Sequence, residues 1–461
     1  MFRNWQGNKR QPDQKKMTTV NPLTTSPILP TILRLSLPNM LAMLATTLVS
    51  IAETSYVGQL GTPALAGIAL VFPMIMLMQM LSAGSMGGGI SAAISRAIGA
   101  GDEAKANSLA LHAFVISVCL GLLLTLLFLA LGPQIYTMVG GTGESLSAAL
   151  AYSNVAFAGI LGIWLMNAFS SIIRASGNMK TPSVTLLLVA VGQVLLGGAL
   201  GLGIGPFPRL GMSGVALGLA LSYGAGTLFL FWYLWTAQGR LQLRFRTKLQ
   251  KQHFGDILKV GAIASISSVQ SVLTILILTR IVSGFGTEAL AGYGIGARLE
   301  FLLVPITFAI GVACIPLVGM ALGAGLIARA RQVAWTGAAL ASAILGCVGL
   351  LVAFFPHIWT SLFTNNPAIL AIAAEYFLWV GPCYCLFGLG LCLYFSSQAA
   401  GKLIAPVMAG TARLVIVAVG GWYLLRQAAP VGSLFALIGA AMIVYGVGTG
   451  LAVYRTRWDK R

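Results

Sequence analysis

Apolar residues in this chain come in long blocks. Stretches without a single Asp, Glu, Lys or Arg cover 54–95, 106–143, 145–173, 181–208, 210–239, 301–328, 332–374, 376–401 and 427–454. A helix that spans a bilayer needs about 20 apolar residues, so the longest blocks hold more than one span, or a span with its loop. Gly and Pro punctuation then divides the chain into twelve predicted helices. They lie at 30–57, 64–95, 106–132, 146–173, 182–204, 212–238, 256–283, 289–320, 330–355, 367–396, 404–425 and 431–454.

The blocks repeat. Gly61-Thr62-Pro63-Ala64-Leu65-Ala66-Gly67 returns as Gly286-Thr287-Glu288-Ala289-Leu290-Ala291-Gly292, 225 residues on. Ala97-Ile98-Gly99-Ala100-Gly101 returns as Ala321-Leu322-Gly323-Ala324-Gly325, at an offset of 224. Gly177, Pro182 and Tyr152 return as Gly401, Pro406 and Tyr376 at the same offset. Matches at nearly one offset, in order, predict an all-α polytopic membrane protein with twelve transmembrane helices in two six-helix repeats. The first half covers 29–238 and the second 256–455, joined by a basic linker at 239–255. Six helices per half give both halves one orientation, with a cavity between them near the midplane.

Composition agrees with the pattern. Of 461 residues, 57% are hydrophobic and 8% charged, against about 25% charged in an ordinary soluble domain. That deficit excludes a soluble enzyme and a disordered chain. The net charge of +18 would suggest nucleic acid in a soluble protein. Here the basic residues crowd alternate connections: Arg96 and Lys105, Arg174 and Lys180, Arg240 to Lys259, Arg329 and Arg331, and Lys402. The other connections hold Arg209 and Arg426, with Arg280 at the edge of one. This is the asymmetry of the positive-inside rule. It predicts both termini in the cytoplasm, a multi-pass inner-membrane protein and no nucleic-acid partner. Residues 1–28 lack a signal-peptide pattern and are expected to form a disordered cytoplasmic tail, as is 456–461.

Few residues can carry chemistry. The six cysteines all lie in apolar runs without metal-ligand spacing and read as small packing residues. No nucleophile–base motif or phosphate loop is present, so neither a catalytic residue, a metal nor a cofactor is predicted, and an ion gradient is the remaining energy source. His112 stands alone in the third helix and reads as a hydrogen-bonded packing residue. Met74, Met76, Met78 and Met80 alternate along the second helix and cover more than one face.

Of ten acidic residues, Glu53, Glu300 and Glu375 lie in or near apolar spans. An intramembrane carboxylate costs about 2.5–3.5 kcal/mol on insertion scales, so each needs a reason. Glu53 has no basic residue within a helical turn, and its repeat position is Leu278, so the fold does not require the acid. It reads either as a proton-loading group or as a carboxylate near a helix end. Arg298, Glu300 and Arg413 form a second polar set in the second half, with an Arg413–Glu300 ion pair as the structural reading. Glu375 reads as interfacial.

Along the chain stand Glu53-Thr54-Ser55-Tyr56-Val57-Gly58, Ala97-Ile98-Gly99-Ala100-Gly101-Asp102, Ile173-Arg174-Ala175-Ser176-Gly177-Asn178, Gly203-Ile204-Gly205-Pro206-Phe207-Pro208 and Gly294-Ile295-Gly296-Ala297-Arg298-Leu299-Glu300. In this order they are similar to motifs of the multidrug and toxic compound extrusion (MATE) family, nearest its DinF-like branch. The resemblance spans about 28 to 455. It implies secondary antiport by alternating access, exporting amphipathic, often cationic small molecules from the cell in exchange for H+ or Na+. It places the coupling acid at Glu53, with Thr54, Gln193, Tyr152, Asn167 and Ser170 as the cavity set. Where the branch carries an Asn and an Asp in the fifth helix, this chain reads Gln193 and Gly197. The acids of other branches fall near Gln270 or Ser271 and near Leu389. With one carboxylate remaining, H+ is favoured over Na+, because a hard cation takes several oxygen ligands. The expected partners are a small-molecule substrate and the lipid bilayer, with the chain a monomer. A lipid-linked oligosaccharide flippase of the same superfamily is the alternative.

Overall fold

A computed structural model describes residues 22–236, 238–245 and 248–458. The tail expected at 1–28 lies mostly outside them. Helix α1 is Ile28–Gly58, α2 Thr62–Gly99 and α3 Glu103–Met138. Helix α4 is a pair, Gly143–Ala158 and Ile160–Ala175, bent by 46°. Then follow α5 Lys180–Leu202, α6 Gly211–Trp235, α7 Lys251–Ser283, α8 Thr287–Gly323 and α9 Ile327–Phe354. The last three are α10 Pro367–Ala400, α11 Ile404–Arg426 and α12 Val431–Arg455. With the bent pair counted as one span, twelve helices among the described residues are long and apolar enough to cross a membrane. The expected boundaries fell short mostly at helix ends, where polar and basic residues continue the helix beyond the apolar block.

The duplication is written into the turns. Gly61 and Gly286, which precede α2 and α8, have φ of 111° and 112°. Gly101 and Gly325, which follow them, both have φ of 76°. Side chains other than Gly rarely adopt this region, so the two repeats kept Gly where the chain reverses. Side-chain caps start α3 and α10: Asp102 accepts from the Lys105 amide at 2.8 Å, and Asn366 from the Ala368 amide at 2.9 Å.

The halves α1–α6 and α7–α12 meet from mid-membrane to the end that carries the basic connections. Packing there is backbone on backbone. A Cβ at Gly99 would lie 2.1 Å from the Met320 carbonyl oxygen, and one at Gly323 would lie 2.1 Å from that of Arg96. Small residues let membrane helices approach this closely. Polar contacts seal the same end. Arg96 donates to the Ala399 carbonyl at 2.5 Å. The Gln398 amide donates to the Gly84 and Ser85 carbonyls, both at 3.0 Å. Ser85 and Ser268 share a hydrogen bond of 2.7 Å.

His112, read as a hydrogen-bonded packing residue, is part of this seal. Its Nδ1 donates to the Ser108 carbonyl at 2.7 Å, which leaves Nε2 to accept from the Gln250 amide at 2.8 Å. The Ser108 hydroxyl meets His253 Nδ1 at 2.9 Å. The third helix of one half thus holds the start of the seventh. Beside it Lys105 and Asp256 form an ion pair of 3.0 Å, with side chains 33% and 34% exposed. Half-exposed pairs are worth about 0.2–1 kcal/mol. Lys105→Ala is therefore expected to lower stability by less than about 1 kcal/mol, checked by thermal unfolding at low and high salt, with the difference from wild type shrinking in salt.

Candidate functional site

Glu53 lies in α1, five residues before the helix ends, and is 8% exposed. Two neighbours in sequence, Thr54 and Tyr56, help define its surroundings. Thr54 is exposed and bonds back to the Ser50 carbonyl at 2.8 Å, with no hydrogen bond to Glu53. Tyr56, one turn on, shares the buried face with Glu53. Glu53 itself turns inward between α4 and α5. Its Oε1 accepts from the Tyr152 hydroxyl at 2.8 Å, and its Oε2 accepts from the Gln193 amide at a longer 3.5 Å. Among the described residues no cation comes within ion-pair distance of it.

In α5, the position without a second acid packs against Tyr56. A Cβ at Gly197 would stand 2.8 Å from the Tyr56 hydroxyl, so Tyr56 occupies the space a side chain at 197 would need. A groove of about 680 Å³ runs along the other side of Tyr56 between α1 and α5, walled by Ala52, Ser55, Gly198, Leu202 and Phe207.

Asn167 and Ser170 are buried in α4 but neither hydrogen-bonds Glu53. Asn167 belongs to a polar chain deeper in the half. The Gln79 amide donates to the Tyr223 hydroxyl at 2.9 Å. The Asn167 amide donates to Gln79 Oε1 at 3.3 Å and to the Ser82 hydroxyl at 2.8 Å. Ser82 sits in a π-helical stretch of α2, Met80–Met86, of the kind that often marks functional positions. Of these residues, Tyr56 was within reach of sequence reasoning, because i and i+3 share a helix face. Tyr223, Gln79 and Ser82 carry no local signal.

The second half repeats the tyrosine and not the acid's helix. Glu300, in α8, accepts from the Tyr376 hydroxyl and from Tyr384 at 3.5 Å. Tyr376 is the repeat partner of Tyr152, so in each half an equivalent tyrosine donates to a carboxylate, buried at Glu53 and half-buried at Glu300. The expected Arg413–Glu300 ion pair is absent among the described residues, because the tyrosines take the carboxylate. The Arg413 guanidinium instead lies 5.0 Å from the centre of the Phe387 ring and 5.9 Å from that of Tyr445. Arg298 is exposed and lies over Phe363 at 5.0 Å.

Two segments of the chain, 38–197 and 264–423, each match the model of one protein family, MatE. The chain belongs to the MatE family. The matches fall one in each six-helix half. A probable multidrug resistance protein NorM of Thermotoga maritima is 30% identical over 348 residues, covering 74% of each chain. An FAD transporter of Shewanella oneidensis is 26% identical over 400 residues, covering 86% of this chain and 87% of its own. A crystal structure of a MATE protein in a straight conformation superposes with a TM-score of 0.87 at 23% identity, over 95% of this chain and 98% of that one. The MatE chain is therefore a multi-pass membrane protein of a family of small-molecule transporters that includes multidrug exporters.

Tyr152→Phe in this MatE chain removes the shorter of the two hydrogen bonds to Glu53. Hydrogen bonds to charged groups are worth about 1.5–3 kcal/mol. Transport is expected to fall and not to vanish, since Gln193 still holds the carboxylate, and initial rates in proteoliposomes check this.

Proposed function

We propose that this protein is a secondary antiporter of the bacterial inner membrane, exporting amphipathic small molecules in exchange for protons by alternating access. The observation that carries the reading is Glu53: a carboxylate buried in α1, without a cation partner, held by Tyr152 and Gln193. Both of these groups donate to it. A ring of donors suits a carboxylate that is protonated and deprotonated in turn, whereas a hard cation such as Na+ needs several oxygen acceptors. The reading takes the basic end as cytoplasmic and both termini as inside. The seal at that end then makes this an outward-facing arrangement. Protonation of Glu53 turns one acceptor oxygen into a donor, and Tyr152 and Gln193 must re-pair. Helix α1 can respond at Pro38, where the ring removes a backbone hydrogen bond. A ligand shifts such an equilibrium only by its difference in affinity between the two states. The reading needs no enzyme chemistry, cofactor or nucleic acid, and the chain acts as a monomer.

A specific observation favours a second reading of the cargo. The Shewanella relative is described as an FAD transporter, and Arg413 in the second half has no ion-pair partner among the described residues. An anionic flavin is then as fit a cargo as a cationic drug.

The test uses purified protein in liposomes with an imposed pH gradient and no Na+. Efflux of ethidium and of FAD is followed. Gradient-driven efflux of either supports proton antiport. Efflux that appears only with a Na+ gradient overturns the ion assignment. Silence under both gradients overturns export and favours the lipid-linked oligosaccharide flippase.

A further inference from the structure

Arg413 lies nine residues into α11, about 14 Å from the basic end at 1.5 Å per residue. That is close to the middle of a hydrocarbon core of about 30 Å. An arginine at this depth is costly and calls for a partner. Among the described residues, Arg413 has neither a hydrogen bond nor an ion pair; its contacts are the rings of Phe387 and Tyr445, which lie 6.0 Å from each other. The Glu300 carboxylate accepts from Tyr376 and Tyr384 and makes no ion pair with Arg413. Immediately beyond Arg413 the helix widens into a π-helical stretch at Ile416–Gly420, while the equivalent part of α5 is regular α-helix. The repeat position of Arg413 is Val189, so the fold itself does not ask for the charge.

We propose that Arg413, seated on Phe387 and Tyr445, is a binding site for the phosphate or carboxylate of a cargo molecule that also carries a planar aromatic ring. A guanidinium presents a planar fork that pairs with such oxyanions in a bidentate way. The two aromatic side chains hold the fork by cation–π contact, and Phe387, the less buried of the two, is the ring on which a flat cargo ring can stack. The site lies in the second half and the proton site in the first, so cargo and proton need not share one residue. This inference rests on the transport reading and names the class of cargo for it.

The test is equilibrium binding to the full-length protein in detergent. Riboflavin phosphate and riboflavin are compared, since they share the ring and differ in the phosphate. Wild type is expected to bind the phosphate about ten-fold or more tightly than riboflavin, the effect of a charge-assisted hydrogen-bonded pair. Arg413→Gln is expected to erase that preference and Arg413→Lys to keep part of it, because lysine retains the charge and lacks the fork. Arg280→Gln, which changes an exposed cation outside the site, keeps it in full. Equal affinity for the two flavins, a preference that survives in Arg413→Gln, or no binding of the phosphate overturns the proposal. Phosphate-selective binding without any gradient-driven efflux instead counts against antiport and leaves the site standing.

Discussion

Glu53→Gln is expected to reduce gradient-driven transport to the passive leak. Glutamine keeps nearly the shape of the side chain and can still accept from Tyr152. What it cannot do is exchange a proton. If coupling runs through this group, the loss is complete and independent of the size of the pH gradient. The variant is also expected to fold as well as wild type or better, because a buried charge carries a desolvation cost that the neutral amide avoids. Thermal unfolding in detergent checks the second half of the statement, and proteoliposome efflux the first. Full transport with intact folding removes Glu53 from the mechanism. Loss of both transport and folding would mark it as structural.

Gly99→Val should have the second largest effect. The first atom of any side chain at 99 would sit 2.1 Å from the Met320 carbonyl. Carbon atoms in contact keep about 3.5–4.0 Å, so α2 and α8 would have to part by about 1 Å or more. The obstacle is backbone, and cannot move aside as a flexible side chain would. Gly323→Val makes the reciprocal clash with the Arg96 carbonyl. Either variant is expected to hold the basic end open. The measurement is disulfide formation between cysteines placed by Ser85→Cys and Ser268→Cys, one from each half, whose short native side chains meet at 2.7 Å as a disulfide requires, in a background lacking the six native cysteines. The cross-link should form readily in that background and be lost with Gly99→Val. Gly224→Ala, at a helix position with nothing within 4 Å, should leave it unchanged. An undiminished cross-link in Gly99→Val would mean the halves are not joined as described.

The helices were legible because apolar blocks of spanning length are a one-dimensional signal. The duplication was legible because the turn glycines at 61, 101, 286 and 325 are constrained by backbone conformation and so keep their residue type. Glu53 was legible because a charge in an apolar run stands out. Its partners were less so. Tyr152 was reachable through its repeat at Tyr376 and through the resemblance, but the pairing of residues 99 apart in sequence is set by helix packing, which leaves no local periodicity. The same applies to His112, which looked solitary until α7 was brought beside it. Glu300 and Arg413 were both visible as charges, and the natural reading was to pair them. Tyr376 and Tyr384 decided otherwise, since a carboxylate with two phenol donors gains little from a more distant cation. Asn167 and Ser170 lie on the expected helix, yet one side of α4 faces Gln79 and Ser82 and only Tyr152 reaches Glu53.

The central claim is that a proton moves opposite to cargo through Glu53, and the most direct measurement runs the cycle backwards. Proteoliposomes are loaded with cargo, ethidium or FAD, and diluted into cargo-free buffer with no pH gradient, with lumenal pH and efflux recorded together. Antiport requires that cargo leaving the lumen drives protons in. Wild type should therefore acidify the lumen in proportion to efflux, and Glu53→Gln should not. Cargo leaving without acidification, or equal acidification in the variant, would contradict the account.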